Sequence, residues 1–149
     1  MTPAEFKTIR EHLGLPAKWL AERLGVSLRT VQLWEADNGV EREVPERAAV
    51  FLKKAELEIE RLYFEDAAGI EAARIQHNQL VLTRYTSEEA WHAADQRFAL
   101  FPLGVHAVLV ARLRVQAEDA GVPVRIEYAA HEPVGTGASE SDSLQHVVP

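Results

Sequence analysis

The stretch Ala17–Glu35, AKWLAERLGVSLRTVQLWE, decides the fold. Leu20, Leu24, Val26, Val31 and Trp34 are spaced as two short helices need them in order to bury a shared face while crossing steeply. Ala21 is small where a larger side chain would hold the helices apart. Gly25 follows Leu24 where the first helix must end, a place that favours a residue tolerant of positive φ. Ser27 stands where the second helix starts, able to accept a hydrogen bond from the backbone amide of Arg29 or Thr30. The expectation is helix, tight turn, helix.

Counted from the Ser27 cap, Leu28, Arg29, Gln32 and Leu33 project outward while Val31 and Trp34 point into the core. These outward residue types suit the edges of bases in a DNA major groove: Arg29 for a bidentate contact to guanine, Gln32 for adenine or a phosphate, Leu28 for a thymine methyl. The competing reading is an ordinary helical hairpin whose exposed residues bind nothing. It requires the small alanine, the glycine, the capping serine and five apolar positions to coincide by chance.

Residues 4–50 resemble the Xre/Cro family of prokaryotic and phage repressors, through FKTIREHLGLPAKWLAERLGVSLRTVQLWEADNG. The resemblance implies a compact all-helical, lambda-repressor-like DNA-binding domain. It also implies an ion pair between Arg10 and Glu35, joining the first helix to the end of the third. The implied DNA-binding set is Lys18, Ser27, Leu28, Arg29, Thr30, Gln32, Leu33 and Arg42. Two departures bear on function. Ala17 replaces the polar residue, often Gln, with which many members touch DNA. The loop ADNGVEREV sets Asp37, Glu41 and Glu43 against Arg42 alone, where the family usually offers basic groups to phosphate.

Charge sharpens that second point. Residues 1–47 hold seven Lys/Arg against eight Asp/Glu, a formal −1, which leaves −6 of the chain's −7 to the remainder. The basic footprint usual in nucleic-acid binders is absent in bulk. Lys18, Arg23 and Arg29 sharing one face would still attract DNA, weakly for a single domain. Two reading heads in a homodimer would reinforce each other through effective concentration.

The 149 residues, 47% hydrophobic, are enough for one or two small cores. No apolar run reaches the length of a membrane helix, and no basic start precedes an apolar signal core, so a cytoplasmic chain with no membrane partner is expected. Zero cysteines exclude disulfides and thiolate metal sites. Thr2-Pro3-Ala4-Glu5 reads as a capping box with proline at the first helical position, opening a helix that Gly14 ends. Pro16 starts the second helix.

From Pro45 to about Gln76 the sequence reads as one long connecting helix, which Gly69 would kink or divide. Ala48, Leu52, Ala55, Ile59 and Leu62 form a stripe on it. Two readings stand: the stripe packs on the chain's own later elements, or it is a dimer seam. Phe51, Leu57, Tyr63 and Phe64 widen the apolar surface. Beyond Asn78, residues 80–85 and 122–128 read as strands. Thr86-Ser-Glu-Glu89 opens a helix to about Phe98, FPLG breaks the chain, and Val105–Ala120 form another helix before Gly121.

The expected architecture is therefore mainly α: a helix-turn-helix domain (1–47), a connecting helix (48–77), a small α+β domain (78–131) suited to dimerisation or partner binding, and a flexible tail (132–149). This order of parts resembles a group of bacterial two-domain regulators.

Enzyme signatures are weak. The six histidines, His12, His77, His92, His106, His131 and His146, show no two-histidine metal spacing, and Glu88 with His92 reads as a helix-surface pair. Gly135-Thr-Gly137 lacks the rest of a dinucleotide loop. No catalytic residues, metal or cofactor are expected. Trp19, Trp34 and Trp91 read as core or partner packing. The function expected is a sequence-specific transcriptional regulator, a dimeric repressor of double-stranded DNA sites. The alternative is a protein-interaction module or antitoxin-like adaptor on the same fold, suggested by the acidic charge, Ala17 and the outward Leu28 and Leu33.

Overall fold

The computed structural model describes residues 1–37 and 43–130. Arg42, most of the acidic loop 37–43, His131, the Gly135-Thr-Gly137 segment, His146 and the 132–149 tail lie outside the described residues. Among those described are six α-helices, a short 3-10 helix and two strands. The order is α1 (Pro3–His12), α2 (Ala17–Leu24), α3 (Leu28–Glu35), α4 (Glu46–Ile75), β1 (Leu80–Arg84), α5 (Glu88–Ala94), the 3-10 turn Gln96–Phe98, α6 (Leu103–Asp119) and β2 (Val124–Tyr128). The chain is mainly helical, with a small parallel sheet.

Local chemistry sets the boundaries. Thr2 accepts from the Glu5 amide while the Glu5 carboxylate accepts from the Thr2 amide, satisfying two of the amides that an α-helix start leaves without partners. Gly14 ends the α1 region at φ 71° and Gly25 ends α2 at φ 64°, left-handed values that cost glycine nothing. Ser27 caps α3 through the amide of Thr30, at 3.1 Å.

The long helix runs unbroken from Glu46 to Ile75, 30 residues, straight through Gly69. Gly69 does not divide it. Gly69 is exposed, a Cβ there would meet nothing within 4 Å, and α4 keeps its backbone hydrogen bonding on both sides. The stripe Ala48, Leu52, Ala55, Ile59 and Leu62 is buried inside its own chain, which removes it as a dimer seam.

The region after α4 departs from expectation in detail. Ser87, not Thr86, caps α5, accepting from the Ala90 amide. The helix expected to reach Phe98 stops at Ala94, because Asp95 takes an extended conformation (φ −145°, ψ 96°) and its carboxylate caps the Arg97 amide, restarting the chain as a 3-10 turn. α6 begins two residues early, with Pro102 at its N-cap. The strands pair in parallel, Leu80 opposite Val124 through Arg84 opposite Tyr128. A parallel pair needs a crossover of a dozen or more residues, and α5, the 3-10 turn and α6 supply it.

One cluster of buried side chains joins all parts: Phe6 and Leu20 at the N-terminal end, Leu52 and Ile59 on α4, Val105 on α6 and Val122 before β2. The turn after α1 also touches α6 through bare backbone. A Cβ on Gly14 would lie 2.3 Å from the Gly104 carbonyl oxygen, and one on Gly104 would lie 2.1 Å from that of Gly14. Only two glycines permit that approach. Alongside it, Trp19 of α2 lies between Phe51 and Phe101, at centroid distances of 6.1 and 6.3 Å.

Candidate nucleic-acid interface

α3 is held from beneath. Val31 is fully buried, and Trp34 meets Phe6 edge-on at 6.3 Å. Arg10 reaches from α1 to Glu35 at the end of α3 with two parallel hydrogen bonds, Nε to Oε1 at 2.5 Å and Nη2 to Oε2 at 2.9 Å. Its remaining terminal nitrogen, Nη1, donates to the Leu15 carbonyl at 2.8 Å. Both side chains are almost wholly withdrawn from water. The Glu35 hydrogen bonds hold the Arg10 guanidinium above its already high ordinary pKa, so the guanidinium stays charged. A planar fork against a carboxylate sets orientation as well as distance. One guanidinium thereby locks α1, the α1–α2 turn and α3 together.

The upper face of α3 presents Leu28, Arg29, Gln32 and Leu33, all exposed, with Leu28 and Leu33 each at 41%. Among the described residues no hydrogen bond or ion pair engages Arg29 or Gln32. Ser27 and Thr30 are occupied differently: their hydroxyls bond each other at 2.8 Å, and Ser27 also takes the Thr30 amide. They hold the start of α3, and Thr30 is half-buried.

Lys18 is exposed and stands 4.0 Å from Glu22 one turn on, a surface pair of small energetic consequence. Neither α2 nor α3 has an acidic residue in its first turn, and α2 has no side-chain cap. Both helix N-termini therefore keep their positive dipole ends unneutralised, the arrangement that attracts phosphate. Arg42 lies outside the described residues.

Arg23 is exposed but already engaged. Its guanidinium donates to the Leu100 carbonyl at 3.1 Å and lies over the Trp19 ring, 5.4 Å from the centroid. The three-cation face expected of Lys18, Arg23 and Arg29 thus loses one member to a contact 77 residues away in sequence. No local signal marks this: an arginine in an amphipathic helix reads the same whether it faces solvent or a distant carbonyl.

Glu88 and His92, read from sequence as a surface pair, do not bond each other. Glu88 accepts from the Leu103 amide at 3.1 Å, capping α6, and His92 Nε2 lies 2.9 Å from the Phe101 carbonyl. Both grip the Phe101–Leu103 turn against which Trp19 packs. His106 is buried against the rings of Tyr85 and Trp91, and its Nε2 accepts the Tyr85 amide at 3.0 Å. Burial pushes its pKa down to about 4, with the charge of Arg84 acting in the same direction. It is a neutral acceptor at physiological pH. A cavity of about 370 Å³ opens beside it, lined also by Phe98 and Leu109.

Among the described residues no group of three or more His, Asp or Glu is placed to hold a metal ion, and no helix is long and apolar enough to cross a membrane. No family model and no curated protein matches the chain.

Proposed function

We propose that this chain is a sequence-specific DNA-binding transcriptional regulator, a dimeric repressor that inserts α3 into the major groove and blocks its operator to other factors. The observation that carries the reading is the contrast between the two sides of α3. The underside is bolted by Val31, Trp34 and the Arg10–Glu35 fork, while the upper side offers Leu28, Arg29, Gln32 and Leu33 to solvent. A rigid helix with an unengaged guanidinium and carboxamide is what reading base edges requires. The resemblance to Xre/Cro repressors points the same way.

In this reading Arg29 contacts guanine, Gln32 adenine or phosphate, and Leu28 and Leu33 pack on thymine methyls. Lys18 and the open N-terminus of α2 meet backbone phosphate; Ser27 and Thr30 position the first turn of α3. With Arg23 engaged by Leu100 and the chain at −7, few phosphates are neutralised, so affinity for arbitrary DNA is low and its salt slope shallow.

Titration of a bound operator duplex against variants tests these roles. Arg29→Ala is expected to cost about 1 to 3 kcal/mol and relax specificity at one base position, while Lys18→Ala weakens all sequences alike and lowers the salt slope by about 1. Equal losses on operator and random DNA from Arg29→Ala would count against its reading role.

A second reading draws on the apolar half of the same face. Leu28 and Leu33, both substantially exposed, suit a protein surface as well as thymine methyls, as in an antitoxin-like adaptor. In that case Leu28→Glu abolishes a protein complex, and Arg29→Ala leaves DNA affinity where it was.

A further inference from the structure

α4 carries a second apolar stripe on the side away from the core. Val50, Leu57, Phe64, Ala68 and Ile75 are all exposed, with Leu57 at 70%, Phe64 at 66% and Ile75 at 65%. At 3.6 residues per turn these five fall within an arc of about 40° and extend over about 37 Å of helix. Single exposed apolar residues are ordinary; a row of them recurring every one or two turns along one unbroken helix marks an interaction surface.

The row becomes a complete seam once Lys54, Arg61 and Glu71, also exposed, are included. From 50 to 75 the steps are then four, three, four, three, the repeat of knobs-into-holes packing. The charges in the seam discriminate between partners. Two copies laid parallel and in register would set Lys54 on Lys54, Arg61 on Arg61 and Glu71 on Glu71. Laid antiparallel with Val50 opposite Ile75, they place Lys54 opposite Glu71, Leu57 opposite the small Ala68, and Arg61 opposite the ring of Phe64. No layer then sets like charges together, with Arg61 also held by Glu58 and Glu65 and Glu71 by Arg74 on their own helix, and the two-fold axis repeats each layer. A slip of one heptad either way leaves Val50 or Ile75 beyond the end of its partner.

We propose that two copies of this chain associate through this seam as an antiparallel pair of α4 helices, giving an isologous dimer. The inference rests on the dimer half of the reading above and not on its DNA half, which is measured separately.

The test is sedimentation equilibrium of the full chain. The unsubstituted protein is expected to be dimeric at micromolar concentration, and Leu57→Glu with Phe64→Glu monomeric, while its helical circular dichroism persists because both side chains point to solvent. Lys54→Glu alone should weaken the dimer about tenfold or more, and adding Glu71→Lys should restore it. Orientation is read by cross-linking, since the chain has no cysteine of its own. Leu57→Cys and Ala68→Cys proteins, mixed, should form a disulfide dimer under oxidation, and neither should do so alone. A monomeric unsubstituted chain, or a dimer indifferent to the two glutamates, overturns the proposal. Self-cross-linking of Leu57→Cys overturns the antiparallel arrangement. Operator binding measured on the same samples separates failure of this interface from failure of the DNA reading.

Discussion

Arg10 and His106 show what single buried polar side chains contribute at the residue scale. Arg10 satisfies the Leu15 carbonyl and both oxygens of Glu35, with Glu11 a longer third contact at 3.3 Å, so removing either member of the Arg10–Glu35 pair deprives a nearly buried charge of its main partner. Glu35→Ala should therefore lower unfolding free energy by about 3 kcal/mol, more than an exposed ion pair would, as read by urea denaturation. Replacing both partners with apolar residues should cost less than that single change. His106 acts through pH. Its folded pKa, about 4, lies below the ordinary 6.5, so protonation favours the unfolded chain. Its contribution is complete above about pH 6.5 and is lost as pH falls toward about 4. His106→Gln should flatten that part of the stability curve, and a pH dependence of unfolding identical to the parent's would refute the assignment. The Arg10–Glu35 pair was legible through the resemblance, because the α1 and α3 patterns fix both positions. His106 was not, since a lone histidine in an apolar helix carries no local sign that its acceptor will meet the Tyr85 amide.

The elements were most legible where chemistry is local. Thr2, Gly25, Ser27 and Gly121 mark helix ends by caps and left-handed turns, and the structure places α1, α2 and α3 accordingly. Legibility fell where distant groups decide. The stop at Asp95 depends on one carboxylate choosing the Arg97 amide, and Arg97 is itself held by Asp66 on α4. The parallel pairing of β1 and β2 depends on how α6 crosses, which strand composition does not encode. The Gly14–Gly104 contact is the clearest instance, because neither glycine announces the other. Gly14→Ala adds a Cβ both at positive φ and within 2.3 Å of a carbonyl oxygen. It should destabilise by about 2 kcal/mol or more, whereas Gly69→Ala, in open space on a continuous helix, should stabilise by about 0.5 to 1 kcal/mol. Thermal denaturation of the two variants checks both signs.

At the scale of the whole molecule, an acidic chain presents one small face whose described exposed cations on α2 and α3 are Lys18, Arg23 and Arg29, of which Arg23 is engaged by the Leu100 carbonyl and the Trp19 ring. Such a face gains little from long-range attraction, so recognition depends on base contacts and on two heads acting together. Trp19, Arg23 and the two glycines hold the α2–α3 pair against α6, so α3 takes its position from the whole core rather than from a loose tether. Composition hinted at the charge problem but not at this bracing. It arises between residues 77 or more positions apart in sequence, where periodicity says nothing. The most direct test of the central claim is selection of genomic DNA fragments by the purified chain, followed by affinities for the enriched fragment and for random duplex across a salt series. A two-fold symmetric or repeated site bound at least about a thousandfold more tightly than random DNA is expected, with the preference persisting as salt rises. No enrichment, even at low salt, would contradict that claim.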